Sequence, residues 1–305
     1  MGMGLEYFSF ADLWSPVMMV IALLVMILYS LVTGPWRQRF ENSAPVEEKR
    51  QAAFIVGIAL LYLAQGGPLS LMGHLMFTFH MTAMAISYFI VPPMLIYGIP
   101  AWLWRSVFSR PFWKPLRFVM NPILGLFAFN LLFSVYHMPA NHDWIMTHYV
   151  VHGFYYLAML AAAMISWWHV ICPVAEWNKL TNLRKLGFIF LNGLLLTPAC
   201  VLIIFASTPL FSVYSDPDVW AKAMGYCISG NPAEFLSRFK GGPAFFSLMS
   251  PTDDQQLGGI IMKLVQEFIN IAALYTVFMQ WYRRERAQDD DPAFDHASSS
   301  RLNNV

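Results

Sequence analysis

Six of the eight histidines fall in two short stretches: His74 and His80 in one, and His137, His142, His148 and His152 in the other. His148 and His152 stand four residues apart, so on a helix both imidazoles leave one face about 5–6 Å apart at Cβ. That spacing can chelate one metal ion. His74 and His80 are six apart, which puts them within roughly 120° of each other around a helix, and His74 and Met81 share a face more closely. Met81 follows His80, and Met138 follows His137. Imidazole with thioether is a soft donor set that suits Cu(I) better than magnesium, calcium or manganese. With 19 methionines in the chain, most serve as packing, so Met81, Met138 and His142 are secondary candidates beside His74, His80, His137, His148 and His152. A hydrolytic zinc site is a poor fit. The segment His148-Tyr-Val-Val-His152 has no glutamate beside its first histidine and therefore lacks the general base of the His-Glu-x-x-His mechanism. No phosphate-binding glycine loop or nucleophile elbow is present either.

These side chains must be positioned by helices. The chain has 305 residues, of which 57% are hydrophobic and 12% charged, against about a quarter charged in soluble domains. Its apolar residues cluster into stretches of roughly 20, the length that crosses a bilayer core. The fold class read from this is all-α: a polytopic membrane protein with about seven transmembrane helices. Spans are expected over residues 13–33, 51–65, 71–99, 119–136, 145–168, 186–207 and 255–282. The turn Gln65-Gly66-Gly67-Pro68 separates the second from the third, and Pro92-Pro93 is expected to break the third before its end. The first apolar run carries Glu6 and Asp12 ahead of it rather than a basic region, so it reads as a retained helix. Residues 101–117 mix tryptophans with basic residues, as at a membrane interface. The reading is one transmembrane domain, 1–282, with a long outer loop, 208–254, and a polar tail, 283–305, expected to be disordered and cytoplasmic.

Basic residues orient this bundle. Arg37, Arg39, Lys49 and Arg50, then Arg105, Arg110, Lys114 and Arg117, then Lys179, Arg184 and Lys185, then Arg283, Arg284 and Arg286 occupy alternate connections and make up fourteen of the nineteen basic residues. The opposite loops hold Lys222, Arg238 and Lys240. The positive-inside rule puts the N-terminus outside and the C-terminus in the cytoplasm. The six histidines then lie at the outer side, with His169 and His296 at the inner side. Ionisable groups within a span are costly and point to function. The net charge of +1 offers nothing to nucleic acid. Cys172, Cys200 and Cys227 lie far apart, without metal-ligand spacing.

A second cluster is Pro251-Thr252-Asp253-Asp254-Gln255-Gln256-Leu257-Gly258-Gly259. Thr252 and Gln255 are spaced as a capping box for the last helix, and Asp254 suits its positive end. Gly258 and Gly259, one turn in, cost about 1 kcal/mol each relative to alanine, so they imply close approach of a neighbouring helix or a bound group. Lys263 and Glu267 follow at i, i+4, which leaves two readings: Lys263 snorkels outward, or the pair neutralises itself within the bundle.

Gly73-His74-x5-His80-Met81, the run from Tyr88 to Pro93, Gly98-Ile99-Pro100, His137-Met138-Pro139, His148-x3-His152 and Asp254-Gln255-Gln256-x-Gly258-Gly259 occur in this order across about residues 55 to 280. Together they resemble the multi-span CtaG family of cytochrome c oxidase assembly proteins. The resemblance implies a non-enzymatic role in maturing a haem–copper oxidase at its copper centre, in a bacterial cytoplasmic membrane. It implies a haem–copper oxidase subunit as partner, with a soluble or lipid-anchored copper donor as a further one. His74, His80, His137, His148 and His152 match the family's histidine pattern, and their reading as copper ligands comes from ligand chemistry. A second, single-span family sharing the name carries a Cys-Phe-Cys motif that this chain lacks.

Three functions fit these residues. The first is an assembly factor that takes Cu(I) on the outer histidines and passes it on by ligand exchange. The second is a copper transporter, for which Asn130, Asn192 and Glu267 make a thin polar path toward the midplane. The third is a haem-binding membrane oxidoreductase, which needs facing histidines at matched depth.

Overall fold

The computed structural model describes residues 4–113, 118, 120–228, 231–239 and 241–289. Lys114, Arg117, Lys240, His296 and the tail from residue 290 lie outside them. The described chain is helical throughout: α1 (Phe10–Trp14), α2 (Pro16–Thr33), α3 (Glu48–Gln65), α4 (Pro68–Leu75), α5 (Phe77–Ala85), α6 (Val91–Gly98), α7 (Ala101–Phe108), α8 (Pro122–Tyr136), α9 (Pro139–Met146), α10 (Tyr149–Ile171), α11 (Asn182–Phe205), α12 (Pro217–Met224), α13 (Pro232–Ser237) and α14 (Pro251–Asp289). Six segments are long and apolar enough to cross a membrane: Phe10–Thr33, Glu48–Leu75, Phe77–Gly98, Tyr149–Ile171, Asn182–Phe205 and Pro251–Ala287. A seventh exists if α8 and α9, which meet at 82°, count as one broken span. The protein is therefore a polytopic, all-α protein of the cell membrane. Large apolar side chains such as Phe154, Leu157, Phe190, Leu194 and Phe268 point outward, as they must where the surrounding solvent is hydrocarbon.

Several helix boundaries depart from those expected from sequence. The turn at Gly66-Gly67 is present, but α4 continues the candidate span begun by α3. The next span starts instead at Phe77, after Met76 takes an extended conformation (φ −141°, ψ 137°). Pro92-Pro93 does not break its helix. A π-helical turn over Ile86–Ile90 leads into α6, where the prolines occupy the first turn, so the N–H groups they lack are not needed. The first residues of the expected polar tail extend α14 as far as Asp289.

The last helix organises the bundle. It packs along α11 and against α5. A Cβ on Gly258 would lie 2.8 Å from Phe77 Cδ1, and one on Gly259 would lie 2.8 Å from Ile204 Cγ1. The paired glycines thus admit α5 on one side and α11 on the other, the close approach expected from the sequence. Further along, Lys263 Nζ meets Glu267 Oε1 at 2.6 Å and donates to Thr197 Oγ1 at 2.9 Å. Asn130 Nδ2 donates to Asn192 Oδ1 at 2.7 Å across α8 and α11. These groups hold helices together by hydrogen bonding to one another. At the far end of α7, Arg105 pairs with Glu176 at 2.6 Å.

A satellite core closes the histidine end. Phe8, Leu71, Leu75, Trp220, Met224 and Phe246 bring the N-terminal segment, α4, α12 and the loop before α14 into one apolar cluster.

Candidate functional site

The site begins with a helix break. An extended Met76 leaves the amides of Phe77 and Thr78 without partners in their own helix, because the first N–H groups of any helix are orphaned. Asp254 supplies them. Its carboxylate accepts from Phe77 N at 2.6 Å and from Thr78 N at 3.0 Å, while Thr78 Oγ1 donates to the Asp254 carbonyl at 3.0 Å. An acidic group at a helix N-terminus is further stabilised by the helix dipole. Asp254 therefore caps α5 rather than serving its own helix start. The capping box of α14 is also shifted from Thr252–Gln255: Ser250 Oγ accepts from Asp253 N at 3.2 Å and donates to Asp253 Oδ2 at 2.6 Å. Gln255 instead accepts from Leu210 N at 2.7 Å and donates to Ile203 O at 3.2 Å, and Gln256 donates to Ala206 O at 3.0 Å. The Asp-Gln-Gln-x-Gly-Gly run thus fastens three segments at the histidine end. Gly73 completes the arrangement. A Cβ there would stand 3.2 Å from His80 Cα, so the missing side chain lets α4 fold against α5. Tyr214 donates to Gly73 O at 2.8 Å. Burial pushes the Tyr214 hydroxyl well above its ordinary range, so it keeps the proton it donates.

Five histidines gather around this break in two neighbouring groups. In the inner group, His80 and His142 lie with ring centres 5.2 Å apart, His80 and His137 6.0 Å, and His137 and His142 6.4 Å. Their relative exposures are 3%, 1% and 0%. Aromatic rings enclose them: His80 lies parallel to Tyr136, His137 packs on Phe133 and His142 on Phe211. In the second group, His74 and His152 meet edge to face at 5.7 Å, and His152 rests on Tyr156. Tyr156 joins the groups, with its hydroxyl 3.5 Å from His80 Nδ1.

The hydrogen bonds of these rings leave at least one nitrogen without a partner on His80, His137, His142 and His152. His137 Nδ1 faces Phe133 O at 2.9 Å and His74 Nδ1 faces Ser70 O at 2.9 Å. A carbonyl only accepts, so Nδ1 carries the proton and Nε2 keeps its lone pair. His142 Nδ1 lies 3.7 Å from Asp143 Oδ1, whose carboxylate is itself fixed by Ser212 N and Val213 N. The buried Nε2 atoms of His80, His137, His142 and His152 have no hydrogen-bond partner, nor has His142 Nδ1. Each buried, unmet polar atom costs about 1–3 kcal/mol. Even so, among the described residues no three His, Cys, Asp or Glu side chains stand placed to hold a metal ion as they are.

The other predicted residues are scattered. His148 is the residue ahead of α10. Its Nδ1 meets Trp144 O at 2.6 Å and its ring packs on Trp144, whereas His152 rests on Tyr156. Met81 is buried beside Gly258, at the α5–α14 contact. Met138 is 53% exposed and its sulfur accepts from Asn141 Nδ2. His169 packs against Phe188, toward the opposite end of α10. Sequence reasoning missed Tyr136, Tyr156 and Asp143, which enclose or polarise the inner rings, and Cys227, which lines a cavity together with His74 and His152.

Residues 27–284 match the family model described as cytochrome c oxidase caa3 assembly factor (Caa3_CtaG). The chain belongs to this family. The match spans most of the chain, including the histidines, the Pro-Pro turn and the Asp254 run. Comparison with the curated proteins and with the solved structures finds no match. As a Caa3_CtaG protein the chain is a cytochrome c oxidase assembly factor, a non-catalytic chaperone rather than an enzyme. The histidine groups described above are thus candidates for binding and hand-over, not for turnover.

Proposed function

We propose that this assembly factor carries Cu(I) as cargo on the inner histidines His80, His137 and His142, and delivers it to a haem–copper oxidase subunit by ligand exchange. The observation that carries this reading is the set of buried imidazole nitrogens without partners, among which the carbonyl facing His137 Nδ1 leaves Nε2 of that ring as the donor. An ion held about 2.0 Å from two imidazole nitrogens sets their ring centres roughly 5–6 Å apart, a separation that His80 keeps from His142 and His137. Asp143, behind His142, is positioned as a second-shell carboxylate would be. Cu(I) accepts as few as two donors, so two of the three rings are enough to hold it once they turn toward it. Neutral imidazoles hold a soft ion without a charge cost and release it readily. The polar groups deeper in the bundle favour this over transport, since Asn130, Asn192, Lys263, Thr197 and Glu267 bond to one another.

In this reading the histidine end faces the outside of the cell and the C-terminus the cytoplasm, on the support of the basic-residue asymmetry. A cysteine placed at Asn141 should then be labelled by an impermeant maleimide on intact cells; protection there, with labelling at a cysteine placed at Ser298, would reverse the orientation. For the function itself, a strain lacking the protein is expected to make oxidase polypeptides and insert haem, yet yield an enzyme poor in copper. Metal analysis of the purified oxidase, beside its haem spectrum, is the measurement. Full copper occupancy with normal activity would rule out copper delivery.

A further inference from the structure

Beside the inner histidines lies a cavity of about 800 Å³ between α3–α4 and α10, partly open to the exterior. Its wall carries His74, His152 and Cys227 together with Gln65 and Tyr156. The Cys227 thiol and the His74 and His152 imidazoles thus share one wall of an open cavity. With His74 Nδ1 committed to Ser70 O, Nε2 is the atom left to bind an ion. His74 also lines a second, much smaller void of about 10 Å³, whose opposite wall is His80. A space of that size holds about one water molecule. His80 is almost fully buried and its Nε2 has no partner. His152 Nε2 is buried and unpartnered as well. A row of soft donors therefore runs from the open cavity to the inner group: Cys227, His74 with His152, then His80.

We infer that Cys227, His74 and His152 form a separate capture site for Cu(I), from which the ion passes His80 to reach the inner histidines. This rests on the copper reading above. A thiolate is the softest donor a side chain offers and selects Cu(I). Binding replaces the S–H bond by a Cu–S bond and releases the thiol proton to water; no electron moves, and copper stays Cu(I) throughout. Transfer inward exchanges the Cu–S bond for a Cu–N bond at His80, and Cys227 regains a proton. The ion then rests on nitrogen donors alone, free of the thiolate that would hold it most tightly.

The test uses full-length protein in detergent, loaded with Cu(I) under reducing conditions and examined by X-ray absorption. Wild type with one equivalent should show nitrogen donors. With His137→Ala and His142→Ala together, copper should stop at the capture site and show a sulfur neighbour, which Cys227→Ser removes and Cys172→Ser/Cys200→Ser does not. Copper on nitrogen in wild type, with none bound to the double variant or with its sulfur signal unchanged by Cys227→Ser, overturns the capture site and leaves the delivery role standing. No copper in wild type sinks both. If the double variant does not fold, two equivalents of Cu(I) added to protein with Cys227 as its only cysteine should slow maleimide modification at least about tenfold, since only the free thiolate reacts. His74→Ala should abolish that protection; no protection, or protection that survives His74→Ala, refutes the site.

Discussion

Protein carrying His80→Leu and His142→Leu is expected to lose Cu(I) from the inner group, with the apparent affinity there falling more than about 100-fold. Removing only a second-shell partner already costs about 10–100-fold in metal affinity, and this variant removes two of three donors. Leucine is chosen because it fills space that alanine would leave as a cavity. It also removes three buried nitrogens that have no partner in the unloaded protein. Replacing unmet polar groups by apolar ones of similar shape is nearly neutral or stabilising, so the unloaded variant should melt no lower than wild type. Affinity loss without stability loss is the signature of a site maintained for binding. A competition titration against a Cu(I) chelator reads the first, and thermal unfolding in detergent reads the second. His148→Ala should change neither greatly, because that ring packs on Trp144. Unaltered affinity in the double leucine variant would remove these histidines from the copper reading.

Asp254→Ala should be the most destabilising single change at the histidine end, by about 3–5 kcal/mol. Each hydrogen bond to a charged group contributes about 1.5–3 kcal/mol, and this carboxylate accepts two backbone amides that have no substitute partner. With the cap gone, two N–H groups face a buried, water-poor setting at the start of α5. Asp254→Asn keeps one acceptor oxygen and should lose less. The measurement is the unfolding midpoint in a fixed detergent, supported by the yield of monodisperse protein. An Asp254→Ala midpoint equal to that of wild type would mean that α5 does not depend on this cap. Because His80 sits one turn into α5, the variant should also bind copper more weakly than its residual folded fraction accounts for.

How far the sequence reaches depends on the range over which its signals act. Helix existence is a local property, so the apolar stretches around α2, α10 and α11 were readable with small boundary errors. The break at Met76 was not, because nothing in Leu75-Met76-Phe77 is a turn signal. The conformation is supported from Asp254, which lies 177 residues from Phe77. The same distance hid the purpose of Asp254, which reads locally as the acid of its own helix start. The glycine pair was readable because its cost is local even though its reason is not. Among the histidines, spacing favoured His148 with His152 on the premise that both lie on one helix. The helix begins at Tyr149 with His148 as its N-cap, and the His148 ring packs on Trp144. His142, outside the family pattern, proves to be the most buried member of the inner group. Cys227 carries no signal of its own because metal motifs are recognised by nearby cysteines, whereas the cavity wall it shares in space holds His74 and His152.

The shortness of α8 has a consequence for the surrounding lipid. Its fifteen residues cover about 22 Å at 1.5 Å per residue, while a bilayer core is about 30 Å thick. The chain then turns by 82° into α9 instead of continuing across. A hydrophobic mismatch of several ångströms is met by local thinning of the bilayer. If α8 and α9 together form one broken span, acyl chains beside α8 compress or tilt there, which draws the headgroup layer down toward His137 and His142. In that arrangement the depth of the histidines below the water boundary depends on lipid chain length as well as on the fold, and longer-chain lipids bury them further.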